Sequence, residues 1–218
     1  MKTVIFDMDG LMFDTEMVFS LAWDYAGEKL GIGKVGYMNL RFLGLKDAYD
    51  ERIWKAEVGE KFNAEELKKY TKEFIKNYCE NNRVPVKKGL YMLLNYLKVN
   101  DYKLAVCSSS SFNSVIHHLK SADVYNYFDI IVSGDMVSKA KPDPEIYLKA
   151  CEMLNVDPKD CYALEDSKNG LLSAHNAGCT PIMVPDLIEP DEEIKSFVSL
   201  IFKDLDEVKK YFRDNKCL

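Results

Sequence analysis

Asp7 and Asp9 stand one residue apart, directly after a short apolar run from Val4 to Phe6 and directly before Gly10. Two carboxylates at the mouth of a buried strand repel each other, so such a pair needs a cation or a shared proton beside it. Further polar residues occupy equivalent places later in the chain. Ser108 closes the apolar run Lys103 to Cys107 and opens a serine run to Ser111. Glu165 and Asp166 close the run Cys161 to Leu164, and Lys141 opens the segment Lys141-Pro142-Asp143-Pro144. Acids with oxygen ligands only favour Mg²⁺, which keeps several of its waters. A lysine and a serine suit an anion, and the helix expected after Ser111 adds N–H groups and the positive end of its dipole. Acids, a metal and an anion site together point to phosphoryl transfer.

These residues can meet only if the elements carrying them bring strand ends together. From Thr15 to Asn82 the pattern is helical, with Asp14 or Thr15 able to cap its start and Leu67, Tyr70, Phe74, Ile75 and Tyr78 on one face of a long helix. Gly31, Gly33, Gly36, Gly44 and Gly59 divide the earlier part into shorter helices. After Val84-Pro85, short apolar strands alternate with amphipathic helices, the pattern of βαβ units and a parallel sheet covered on both faces. One such helix follows Pro144, with Ile146, Ala150, Met153 and Leu154 expected on its buried side. In open parallel sheets ligands bind beyond the carboxyl ends of the strands. The fold class is therefore α/β, with a core over 1–14 and 83–218 and a helical insertion over 15–82. Two chain crossings join the insertion to the core, which suits a lid.

Composition narrows the partners. The 218 residues carry 29 Lys+Arg and 35 Asp+Glu, a net charge of -6 that opposes nucleic acid and anionic membrane surfaces. No apolar run approaches the ~20 residues of a membrane helix, and an acid follows the N-terminus too soon for a signal peptide. The six cysteines lack CxxC spacing and read as free thiols. A cytoplasmic protein acting on a small molecule, with no protein partner implied, is the expectation. His117, His118 and His175 read as helix positions without a ligand role.

Asp7-Met8-Asp9-Gly10-Leu11-Met12-Phe13-Asp14-Thr15, Ser108, Lys141-Pro142-Asp143-Pro144 and Leu164-Glu165-Asp166-Ser167, in that order, resemble the four motifs of the haloacid dehalogenase superfamily. The helical insertion resembles the small α-helical cap of its phosphatase and β-phosphoglucomutase branch. The resemblance implies a Rossmann-like core of the HAD type and a Mg²⁺-dependent phosphatase acting on a small phosphorylated metabolite. Asp7 would be the nucleophile that forms an aspartyl phosphate. Asp9 would be the general acid and then the base, a role that needs a proton on it at working pH. Lys141 would be catalytic and phosphate-binding, with Ser108 and Ser109 also holding phosphate. Lys139 is a rival for the lysine role. The metal would be held by the Asp7 side chain, the Asp9 carbonyl and Asp166, with Glu165 beside it or serving the structure. Dehalogenases of the superfamily lack an acid at the Asp9 position, which favours phosphate chemistry. A sugar phosphomutase is the alternative. That branch carries a histidine where this chain has Phe19, and an arginine near Lys46-Asp47, and both departures favour the phosphatase.

Overall fold

The apolar runs form a six-stranded sheet in the order β3-β2-β1-β4-β5-β6. Its strands are β1 (Thr3–Phe6), β2 (Lys103–Ser108), β3 (Ile130–Ser133), β4 (Cys161–Glu165), β5 (Thr180–Met183) and β6 (Leu200–Ile201), all paired in parallel. The computed structural model describes residues 3–42, 48–60 and 62–215, apart from the side chain of Glu80. The chain divides into two compact units, Asp14–Val84 and Met1–Phe13 with Pro85–Leu218.

The helical unit holds α1 (Thr15–Leu30), α2 (Asn39–Phe42), α3 (Glu51–Val58) and α4 (Ala64–Asn81). Asp14 caps α1, its carboxylate accepting from the Met17 N–H, and Gly31 closes the helix in the left-handed region. Trp23, Phe42, Trp54 and Phe62 are buried as the unit's own core, with Trp54 stacked on Phe62 at 4.9 Å between ring centroids. Phe19 and Tyr37 are exposed instead. Gly44 and Lys46-Asp47 lie outside the described residues.

The sheet unit adds α5 (Leu90–Val99), α6 (Phe112–Ser121), α7 (Glu145–Leu154), α8 (Lys168–Ala177), α9 (Glu192–Phe197) and α10 (Leu205–Asp214). Each strand is short because a polar or turn residue ends its apolar run, and four of the following helices begin at an oxygen-bearing cap, whereas α7 starts at Pro144 without one. Ser111, Ser167, Asp191 and Asp204 are the caps of α6, α8, α9 and α10. One face of the sheet, with Ile5, Ala105, Cys107 and Ala163, packs on Ile146, Tyr147, Ala150 and Cys151 of α7 and on Ala174 and Ala177 of α8. The buried side of α7 departs from expectation: Tyr147 and Cys151 are inside and Met153 is 46% exposed. At 3.6 residues per turn the stripe through Tyr147, Ala150, Cys151 and Leu154 is centred away from Met153. Cys107, Cys151, Cys161 and Cys179 are buried free thiols and Cys79 is partly buried. Cys217 lies outside the described residues.

Candidate active site

Three neighbouring strands end at one point. Phe6 is in register with Val106 of β2 and Leu164 of β4, and the Asp7 N–H continues the ladder by donating to the Leu164 carbonyl at 3.0 Å. Side chains alternate along a strand, so Asp7, Cys107 and Glu165 face the same way as Ile5, Ala105 and Ala163, toward α7 and α8. On that side lies the Lys141 ammonium. It donates to Asp7 Oδ1 at 2.6 Å, to Glu165 Oε1 at 2.6 Å and to the Cys107 carbonyl at 2.9 Å. A lysine has three donors, and all three are used. The Lys141 side chain is 7% exposed, and its loop is fixed at both ends. The Glu145 carboxylate accepts from the Ser138 and Lys139 N–H groups, and Ser173 of α8 donates to the Asp143 carbonyl at 2.6 Å. Lys139, the rival, pairs with Asp143 at 3.3 Å and its side chain is 71% exposed.

Glu165 and Asp166 are adjacent in sequence and therefore point to opposite faces. Glu165 is fully buried and fully engaged: Oε1 accepts from Lys141 and from the Tyr147 hydroxyl at 2.7 Å, and Oε2 accepts from the Ser167 hydroxyl at 3.2 Å. Gly170 lets α8 lie against it, since a Cβ there would overlap the Glu165 carboxylate. Asp166 points instead into the turn after β1. Gly10 has φ +85°, and a Cβ on it would overlap the Asp166 carboxylate. Glycine thus serves both the left-handed backbone and the close approach. Ligand oxygens of Asp7, Glu165 and Asp166 lie within 4.8 Å of one another.

The electrostatics follow from this crowding. Burial, the Glu165 charge and the Asp9 charge push the Asp7 carboxyl well above the usual range, against the pull of Lys141. Burial and the charges of Asp7 and Glu165 do the same to Asp166, to which Asp186 adds. Burial works against the Lys141 ammonium, yet Asp7 and Glu165 hold it above the ordinary lysine range. Burial and Glu165 also raise the Tyr147 hydroxyl, which stays a donor. Negative charge is in excess on the Asp166 side, and a divalent cation there is what the donor set fits.

Asp9 sits across from this cluster. Its Oδ2 accepts from the Ser108 hydroxyl at 3.2 Å and from the Ser110 hydroxyl at 2.9 Å, while the Ser110 N–H donates to Ser108 Oγ at 3.0 Å. Ser108 is fully buried and Ser109 is exposed. The α6 N-terminus is less open than its sequence suggests. The Phe112 N–H donates to the Asp135 carboxylate and the Ser114 N–H to Ser111 Oγ. His118 packs its ring edge on Phe13 at 6.0 Å, and burial pushes its imidazole down despite the opposing charge of Asp9. Asp7, Asp9, Ser108, Lys141, Glu165 and Asp166 are thus brought together from four loops. Tyr147, Ser110 and Ser167 join them unforeseen. Tyr147 lies off the expected stripe of α7 and is found only in the structure, where its buried hydroxyl takes Glu165 as the partner it requires.

The model of the family described as haloacid dehalogenase-like hydrolase matches residues 4–184. A phosphorylated carbohydrates phosphatase of Thermotoga maritima is 34% identical over 178 residues, covering 82% of this chain and 82% of that protein. A β-phosphoglucomutase of Bacillus subtilis is 32% identical over 187 residues, covering 82% and 80%. The crystal structure of a Thermotoga maritima protein provisionally described as a β-phosphoglucomutase superposes with a TM-score of 0.82 at 28% identity, covering 98% of this chain and 99% of that one. The six-stranded parallel sheet with its surrounding helices is the fold of these neighbours. The chain belongs to the haloacid dehalogenase-like hydrolases.

Proposed function

We propose that the protein is a Mg²⁺-dependent phosphatase that hydrolyses a small phosphomonoester through an aspartyl phosphate on Asp7. The observation that carries this reading is the Lys141 ammonium held between Asp7 and Glu165 beside an Asp166 that, among the described residues, forms no ion pair. A carboxylate attacks phosphorus without a base to activate it, but only where the repulsion between two anions is offset. Lys141 supplies part of that offset and fixes the Asp7 rotamer through Oδ1. Mg²⁺, held by the Asp7 side chain, the Asp9 carbonyl and Asp166, would supply the remaining positive charge at the phosphoryl group.

Asp9 protonates the leaving alkoxide and then takes a proton from the attacking water. Ser108 and Ser110 hold it in position through Oδ2; on phosphate binding the Ser108 hydroxyl would turn from Asp9, and one Lys141 donor from the Cys107 carbonyl, to the phosphate oxygens that Ser109 also meets. Glu165 serves by fixing Lys141, with Tyr147 and Ser167 occupying its oxygens. The helical unit takes the part of the substrate-selecting cap, and a sugar phosphate or similar metabolite, as named for the Thermotoga maritima relative, is the substrate class.

A mutase reading draws on the Bacillus subtilis relative. Phe19 on α1 speaks against it, because that position offers no imidazole. Phosphate release from p-nitrophenyl phosphate and from a panel of sugar phosphates, with Mg²⁺ or with excess chelator, tests the proposal. It expects chelator-sensitive release of inorganic phosphate. Equal rates with chelator, or isomerised sugar phosphate in place of free phosphate, would contradict it.

A further inference from the structure

The loop after β5 carries an acid that the proposed reaction does not use. Asp186 meets the Lys87 ammonium through Oδ1 at 2.5 Å, and its side chain is 9% exposed. Lys87 is itself pinned to the turn that carries Gly10: its N–H donates to the Met12 carbonyl at 2.9 Å, and Val86 bridges Phe13. Asp186 Oδ2 is buried and has no hydrogen-bond partner among the described residues. An unsatisfied oxygen on a buried carboxylate is expensive to keep, so its persistence calls for a partner. The same acid lies near enough to Asp166 to act on its charge. It is nonetheless outside the group of acids whose oxygens lie within 4.8 Å of one another. Direct ligation alongside them is therefore not what the geometry offers. A water-bridged contact is the route that remains, because Mg²⁺ keeps several waters and each is a strong donor.

We propose that Asp186 is a positioning residue of the metal site, accepting through Oδ2 a hydrogen bond from a water on the cation held by Asp7 and Asp166. Lys87 fixes the other oxygen, so that the acceptor points one way and the pair adds little net charge. The inference rests on the metal reading given above and extends it to the β5 loop. Supporting groups of this kind are worth about 10–100-fold in metal affinity.

The test is Mg²⁺ titration by calorimetry on the phosphate-free full-length protein, with thermal unfolding of the chelated protein alongside. Asp186→Asn keeps the shape and the Lys87 contact; Asp186→Ser leaves room for water should the amide misfold. About tenfold or greater weakening of Mg²⁺ binding in either variant, with the chelated melting temperature near wild type, is the expected result. An unchanged dissociation constant overturns the assignment, also where the melting temperature falls, since Asp186 would then serve structure alone. Absence of Mg²⁺ binding to the wild type overturns the metal reading itself and this inference with it, which separates the two failures.

Discussion

At the residue scale, identical chemical groups behave differently according to which way the backbone turns them. Asp7, Glu165 and Asp166 are all carboxylates at strand ends, yet one touches Lys141 with a single oxygen, one has both oxygens occupied, and one is acted on chiefly by burial and the charges of other acids. Their substitutions should separate accordingly. Asp7→Asn should abolish turnover, since no other covalent route exists, whereas Asp9→Asn should slow it by roughly 10²–10⁴ in kcat, the usual loss of acid–base help. Asp166→Asn should weaken Mg²⁺ binding by more than the ~10–100-fold typical of a supporting residue. Glu165→Gln should leave Mg²⁺ affinity close to wild type and lower kcat, because it loosens Lys141 and not the cation. Steady-state kinetics with parallel Mg²⁺ titrations on the four variants checks the pattern; a large loss of Mg²⁺ affinity in Glu165→Gln would return that acid to the metal. Lys141→Met should cost about 3–5 kcal/mol of stability in the metal-free protein, the usual consequence of leaving a buried charge unpaired, as read by urea unfolding.

At the scale of elements, the order of the motifs was legible because Asp7, Ser108 and the Glu165-Asp166 pair each end an apolar run and Lys141 lies in the loop after another, and strand ends on one edge of a parallel sheet share a pole of the molecule. Lys141 could be preferred to Lys139 from the prolines beside it, and the structure buries the one and leaves the other at the surface. Two features were not legible. Which of Glu165 and Asp166 faces α7 depends on the phase of the pleat, and a five-residue strand buried on both faces carries no polar alternation to reveal it. The sequence pattern of α7 admits a stripe through Met153 as readily as one through Tyr147; only packing on Glu165 decides for Tyr147. The contact between α8 and the end of β4 is correspondingly tight. Gly170→Ala, harmless by helix propensity, should destabilise by about 1–3 kcal/mol as an overpacked contact, measurable by urea unfolding. Stability equal to or above wild type would show that α8 can move off Glu165.

For the whole molecule, the acid cluster makes stability depend on pH and on the metal together. Asp7 and Asp166 have folded-state values raised above those of the unfolded chain. Their contribution is therefore fully present below the ordinary carboxyl range and is lost as pH rises through the raised values. The metal-free protein should lose stability over that interval. Saturating Mg²⁺, which favours the ionised acids, should flatten or reverse the slope. Unfolding free energies across pH, with chelator and with Mg²⁺, give the two curves, and parallel curves would count against a cation at these acids.

The claim beneath all of this is that Asp7 carries the phosphoryl group in transit. With an ester whose leaving group departs unprotonated, such as p-nitrophenyl phosphate, Asp9→Asn impairs only the water-activated second step, so it should let that adduct build up. Acid-quenched single turnovers of this variant with such an ester in radiolabelled form, followed by peptide mapping, should place a hydroxylamine-labile label on Asp7. Label on any other residue, or none while the wild type turns over the same ester, would contradict the account.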